Sequence, residues 1–190
     1  MHRTELGHLF IGLQVDFINR LSRIGAAVVE TTSFVSAKAV PQMADCAAVM
    51  AGIEQIPGVE YPVLVLNLKG FERARDAGAT SVAIMTVPSS TFARRNNNCT
   101  PDETLQRAEA IARAATEAGV RVRGYVSCAL GCPFEGPVAP ESVAAMAHRL
   151  HAAGCHEVCL ADTIGTGTPG SMRALLECVI PQVNPASPQP

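Results

Sequence analysis

Along this chain an amphipathic helical stretch repeatedly ends at a glycine and gives way to a short apolar run. Over 9–24 the apolar residues Leu9, Leu13, Phe17, Leu21 and Ile24 recur at the spacing of one helix face. Gly25 ends that stretch, and Ala26-Ala27-Val28-Val29 follows as a buried strand. Asp76-Ala77-Gly78 precedes Ser81-Val82-Ala83-Ile84-Met85. Glu117-Ala118-Gly119 precedes Val120-Arg121-Val122-Arg123-Gly124-Tyr125-Val126, and Ala152-Ala153-Gly154 precedes Glu157-Val158-Cys159-Leu160. Glycine at a helix end supplies the left-handed C′ position without Cβ strain. A further strand, Pro62-Val63-Leu64-Val65-Leu66-Asn67, follows Gly58.

Helix starts agree with this grammar. Thr100-Pro101-Asp102-Glu103 is a capping box with proline at the first helical position. Thr168-Pro169 repeats the signal before a helix over 172–179, and Pro140 opens one through Ala144, Ala147 and Leu150. Strands alternating with helices predict βαβ units and a parallel sheet, hence an α/β fold. No strand–GxGxxG–helix fingerprint and no GxxxxGK[ST] loop is present, which disfavours dinucleotide and P-loop folds. A TIM (β/α)8 barrel is the better reading, yet it needs eight strands and typically ~250 residues. The chain has 190 residues and about five strands, so the expectation is a partial barrel over 1–180. The Pro/Ser/Asn-rich tail over 181–190 is expected to be disordered.

Composition narrows the function classes. Apolar residues make up 48% and charged residues 17%, a globular balance. A net charge of −2, no Trp and 4% aromatics argue against a nucleic-acid partner. No apolar run is long enough to span a bilayer, and Met1-His2-Arg3-Thr4-Glu5-Leu6 lacks a secretory layout. Seven scattered cysteines, an odd number, point to a reducing compartment with thiols rather than a disulfide framework.

In a parallel α/β protein the carboxyl ends of strands carry the chemistry. Those positions are Glu30 with Ser33, Asn67 with Lys69, Thr86 with Ser89 and Ser90, Ser127 with Cys128, and Asp162 with Thr163. Glu30 and Asp162 are the carboxylates of the set, able to orient a cation or accept from a hydroxyl. The plainer role for Asp162 is turn or helix capping; Glu30 is a poor capping residue and reads as functional. Arg94-Arg95-Asn96-Asn97-Asn98 reads as a basic loop suited to phosphates, or simply as a solvated one. Cys128/Cys132 and Cys155/Cys159 share one spacing near His148, His151 and His156, so a zinc site is the sharp reading and separate half-buried thiols the plainer one.

Several segments closely resemble 3-hydroxy-3-methylglutaryl-CoA lyase. They are Glu30-Thr31-Thr32-Ser33-Phe34-Val35-Ser36, Val40-Pro41-Gln42-Met43 and Asn67-Leu68-Lys69-Gly70-Phe71-Glu72. Arg123-Gly124-Tyr125-Val126-Ser127-Cys128-Ala129-Leu130-Gly131-Cys132-Pro133, Asp162-Thr163-Ile164-Gly165 and Gly167-Thr168-Pro169-Gly170 complete the set. The likeness runs over 13–178. It implies a TIM barrel that cleaves 3-hydroxy-3-methylglutaryl-CoA to acetyl-CoA and acetoacetate, in leucine breakdown and ketone-body formation. It also implies a divalent Mg²⁺ or Mn²⁺, an acyl-CoA substrate, and a mitochondrial or cytoplasmic setting. By the same resemblance Glu30 and Asp162 are active-site carboxylates, with Glu30 orienting a catalytic Arg. Arg94, Arg95 and Asn96 match the CoA-contacting segment, with Arg123 and Ser33 in the substrate neighbourhood.

The departures are as informative. The family's first strand ends in Arg-Asp-Gly-Leu-Gln, whereas Phe10-Ile11 precede Gly12-Leu13-Gln14 here, so that triplet reads as part of the first helix. The family's His-x-His metal pair and its later Asn have no counterpart, so no metal ligand is placed on this sequence. The chain thus reads as truncated at both ends. Five strands would leave two open sheet edges, through which it could pair with like subunits or another chain. The alternative function is therefore an inactive form that acts as a binding fragment.

Overall fold

The computed structural model describes residues 3–183. In chain order the elements are α1 (Arg3–Arg23), β1 (Thr32–Ser33), a 3-10 turn (Pro41–Met43), α2 (Cys46–Gly52), β2 (Val63–Leu64), α3 (Leu68–Asp76) and β3 (Ser81–Thr86). Then come α4 (Ser90–Asn97), α5 (Pro101–Glu117), β4 (Arg121–Val126), α6 (Pro140–Ala152), β5 (Glu157–Leu160) and α7 (Pro169–Val183). The strands lie in the order β1-β2-β3-β4-β5, the α/β alternation expected of the sequence. The chain divides into two compact units, Met1–Ala83 and Ile84–Pro190.

In the first unit, β1 pairs parallel with β2 and β2 with β3, with Thr32 opposite Val63 and Val63 opposite Val82. The pairing begins earlier than the two residues of β1. Glu60 N donates to Ala27 O at 2.9 Å, Val29 N to Glu60 O at 2.8 Å, Thr31 N to Pro62 O at 3.1 Å and Phe34 N to Leu64 O at 2.8 Å. Glu30 therefore lies inside an extended run and not just past a strand over 26–29. The β-branched pair Thr31-Thr32 carries the extended backbone onward. Val29, Phe34, Val49, Val63, Val65, Phe71 and Val82 form the buried core of this unit.

Helix α1 chooses a different face from the one its stripe predicts. Ile18 and Ser22 are buried, whereas Leu13, Phe17 and Ile24 are 59%, 62% and 75% exposed. The choice follows the contact with α2, where the missing side chain of Gly52 makes room for Val15. A Cβ there would lie 2.9 Å from Val15 Cγ2. Polar ties fix the same face: Gln14 Nε2 donates to Asp45 Oδ2 at 3.1 Å, Glu54 N to Asn19 Oδ1 at 2.8 Å, and Arg23 pairs with Glu54. Gly12-Leu13-Gln14 lies within α1, as expected.

In the second unit β4 pairs parallel with β5, placing Arg123 opposite Glu157 and Val126 opposite Leu160. The predicted capping box is present: Glu103 N donates to Thr100 Oγ1 at 3.2 Å and Thr100 N to Glu103 Oε2 at 2.7 Å. Arg149 of α6 forks onto Glu109 of α5 through Nε at 2.7 Å and Nη2 at 3.0 Å. Gly25, Gly78, Gly119 and Gly154 all take positive φ, between 69° and 103°, as the helix–glycine–strand pattern requires. Two expectations change. The segment holding Arg94, Arg95 and Asn96 is helix α4, because Ser89 caps it and Ala93 is buried beneath it. Pro181–Val183 continue α7 instead of starting a tail, with Pro181 inside the helix at the cost of one backbone hydrogen bond. The rest of that tail, 184–190, lies outside the described residues.

Gly70 is held where only glycine fits, since an added Cβ would meet Phe34 O at 2.7 Å. The atom met is a backbone oxygen and the Cβ is fixed to its own backbone, so neither side yields easily. Gly70→Ala is expected to destabilise the chain by about 1–3 kcal/mol. Urea unfolding monitored by circular dichroism measures this, and an unchanged midpoint contradicts the packing.

Candidate active site

The hydroxyls that follow Glu30 find their partners on neighbouring elements, with one exception. Ser33 Oγ donates to Leu64 O at 3.4 Å, and Thr31 Oγ1 approaches Met50 Sδ at 3.3 Å. Thr32 Oγ1 is buried without a hydrogen-bond partner. Glu30 is exposed. Asn67 caps α3, accepting from Gly70 N at 2.8 Å. Arg73 of the same helix donates to Val35 O at 3.3 Å and lies 5.6 Å from the Phe34 ring centre, clamping the chain just beyond β1.

In the second unit the loops after β4 and β5 are joined. Cys128 N donates to Thr163 Oγ1 at 2.7 Å, and Ala129 N to Ala161 O at 3.0 Å. Asp162 folds its own loop: Oδ1 accepts from Thr166 N at 3.1 Å and Oδ2 from Gly167 N at 2.8 Å. That is the capping role its sequence context allowed, and it fixes the carboxylate in one orientation. Gly167 closes the arrangement, since a Cβ on it would meet Leu130 Cδ1 at 2.6 Å and Asp162 Oδ2 at 2.8 Å.

The loop after β4 also reaches α4. Ser89 caps that helix, accepting from Phe92 N at 3.1 Å, and takes the Cys132 thiol at 2.9 Å. Glu135 accepts from Thr91 N at 2.6 Å, and these Thr91 hydrogen bonds hold its carboxyl below the usual range. Arg95 lies 4.4 Å from the Phe134 ring centre, a cation–π contact. Arg94 and Asn96 are exposed on α4, with Asn96 Nδ2 donating to Asn97 Oδ1 at 2.9 Å. Phe134 and Glu135 were not among the residues singled out from sequence. Their signal is an aromatic–acid pair in the turn after Cys132-Pro133, meaningful only once α4 is known to lie beside it.

Arg123 sits three residues before the end of β4, where Nη2 donates to Glu157 Oε2 at 2.6 Å and Nε at 3.1 Å. Burial pulls its pKa down, but hydrogen bonds with Glu157 and Tyr125 outweigh this and raise it. Arg123 in turn holds Glu157 below the usual carboxylate range. The structure thus groups Asp162, Thr163, Cys128 and the α4 residues at strand ends of the second unit. Glu30 and Ser33 belong to the first unit, and Arg123 belongs to a cross-strand ion pair.

Among the described residues no group of three or more His, Cys, Asp or Glu side chains could hold a metal ion. Cys155 is packed against Gly124, and both Asp162 oxygens are engaged by backbone N–H groups. The donor set therefore does not fit zinc or the family's divalent ion.

Five parallel strands among the described residues, alternating with helices, put the chain in the TIM-barrel class as part of a barrel. Residues 11–189 match the HMGL-like family model, and the chain belongs to that family. It is 49% identical over 175 residues to the cytoplasmic 3-hydroxy-3-methylglutaryl-CoA lyase of Rattus norvegicus, covering 92% of this chain and 51% of the relative. It is 52% identical over 171 residues to the mitochondrial hydroxymethylglutaryl-CoA lyase of Bos taurus, covering 90% of this chain and 53% of the relative. The crystal structure of hydroxymethylglutaryl-CoA lyase from Pseudomonas aeruginosa superposes with a TM-score of 0.86 at 47% identity, covering 91% of this chain and 58% of that one. The chain thus spans about half the length of the curated relatives it matches.

The Arg123–Glu157 pair has a pH signature. Glu157 has a depressed folded pKa, so its contribution is fully present above the ordinary value of 4.5 and is lost as pH falls through the lower folded value. Glu157→Gln is expected to reduce stability at neutral pH and to flatten the loss of stability below about pH 4.5. Urea titrations across that range measure it; identical acid profiles for both proteins contradict the pairing.

Proposed function

We propose that this chain carries the strand-end portion of a hydroxymethylglutaryl-CoA lyase site. The reaction is cleavage of 3-hydroxy-3-methylglutaryl-CoA to acetyl-CoA and acetoacetate. The observation that carries the reading is the junction of the loops after β4 and β5 through Cys128 and Thr163, in a sequence about half identical to such lyases. In this carbon–carbon cleavage the C3 hydroxyl loses its proton and the C2–C3 electrons pass to the acetyl-CoA enolate, which is then protonated. Arg94, Arg95 and Asn96 take the CoA phosphates, with Phe134 steadying Arg95. Asp162, held by Thr166 and Gly167, presents a fixed carboxylate to the polar end of the substrate. Glu30 and Ser33, in the first unit, match the family's active-site segment by resemblance. The metal the family uses requires ligands beyond the described residues, and none of these roles depends on it.

A second reading follows from the missing donor set and from the exposed Phe10, Leu13 and Phe17 of α1. It is a partner-binding form without turnover of its own. Acetoacetate release separates the two readings. The 190-residue chain is assayed with the thioester and Mg²⁺ or Mn²⁺, alone and mixed with the separately expressed half of the bovine relative that it does not cover. Turnover is expected in the mixture and not from the chain alone. Calorimetric titration with CoA gives an independent measure, in which Arg94→Ala and Arg95→Ala each weaken binding about tenfold. A folded chain that binds no CoA at millimolar concentration overturns the reading.

A further inference from the structure

No disulfide joins any of the seven cysteines, and their surroundings differ sharply. Burial pushes the Cys155 thiol up to about 12, in an apolar site against Leu150 and Gly124, so it is inert at neutral pH. Cys128 and Cys132 share one buried cluster with Val87 and Ala93. They stand four positions apart on one loop and pack into the same cluster. Cys128 adopts a left-handed backbone with φ of 56°, a conformation a non-glycine residue holds only when its surroundings impose it. Cys132 lies beneath a small turn closed by two backbone bonds, Cys132 N to Gly136 O at 2.8 Å and Gly136 N to Cys132 O at 3.0 Å. Pro133, Phe134, Glu135 and Gly136 of that turn are exposed, so the loop that covers the sulfur is a surface loop.

We propose that Cys128 and Cys132 form a reversible intramolecular disulfide by exchange with a low-molecular-weight disulfide such as glutathione disulfide. The 127–136 loop is then a redox-sensitive clasp on the N-terminus of α4. The proposal stands on the placement of the two thiols and does not depend on lyase activity.

Cys132 is the attacking group. Burial alone would raise its pKa, but Ser89 and the backbone N–H groups of Phe134 and Glu135 outweigh it and lower the value. Ser89 Oγ already accepts from Phe92 N, which leaves its own proton for the sulfur once Cys132 is ionised. The Cys132 thiolate attacks one sulfur of glutathione disulfide and expels a glutathione thiolate, which takes up a proton. Cys128, which burial pushes up to about 11, then loses its proton to solvent. Its thiolate attacks the Cys132 sulfur and expels the second glutathione. Two protein thiols are oxidised and one glutathione disulfide is reduced to two glutathione molecules. The Cys132 sulfur, now bonded to Cys128, no longer donates to Ser89 at the cap of α4.

The test equilibrates the full chain in glutathione redox buffers, quenches in acid, alkylates the remaining thiols and maps the peptides by mass. The expected result is a single peptide that carries Cys128 and Cys132, lacks two hydrogens and resists alkylation at both, while Cys46, Cys99 and Cys155 stay alkylatable. Cys128→Ser is expected to stop at the glutathione adduct on Cys132, and Cys132→Ser to give neither product. In the oxidised wild-type chain, amide exchange at Phe92 is expected to accelerate about tenfold as the cap loosens. Retention of both thiols under oxidising glutathione by a folded chain overturns the proposal, as does preferential linkage of any other cysteine pair. The wild-type map decides the matter even where a serine variant fails to fold.

Discussion

A parallel pair of strands cannot be joined by a tight turn, so each return to the sheet runs through a helix, and this requirement organises the chain. Every strand must end in a segment that enters a helix, and the first N–H groups of that helix need acceptors. Asn67 supplies one for α3, Ser89 for α4 and Thr100 for α5. The helix-entry segments are thus polar because the backbone demands it, before any ligand is considered. The same polar groups then become available to a substrate at the strand ends. Ser89 shows the overlap most directly, since one oxygen caps a helix and receives the Cys132 thiol.

Features that depend on near neighbours were legible in the sequence. The helix–glycine–strand punctuation, the Thr100–Glu103 box and the parallel α/β class all follow from residues within one turn of each other. Features set by distant partners were not. The pairing of Arg123 with Glu157, 34 positions away, emerges only once the strand register is known. The Arg94–Asn98 composition reads as loop because its helix is held by Ser89 before it and by the burial of Ala93. The stripe of α1 failed for the same reason: which face is buried depends on the small residue of the opposing helix, Gly52. The capping reading of Asp162 was legible, and the structure shows it directly.

Membership in the HMGL-like family and the five-strand architecture agree with each other. The chain covers nearly all of its own length against lyases and about half of theirs. Loops after β4 and β5 keep a mutual hydrogen-bond geometry within a single compact unit, so this part of the fold is specified locally. Metal ligation is not specified by the described residues.

Gly167 carries a consequence best put in genetic terms. A β-carbon on it would lie 2.6 Å from Leu130 Cδ1 and 2.8 Å from Asp162 Oδ2, so these side chains would have to shift. Every amino acid other than glycine brings that atom, so any missense change of the codon pushes on the one carboxylate that the loop is built around. In a survey of natural variation it would stand out as an intolerant site although it contributes no side chain, no charge and no proton to anything.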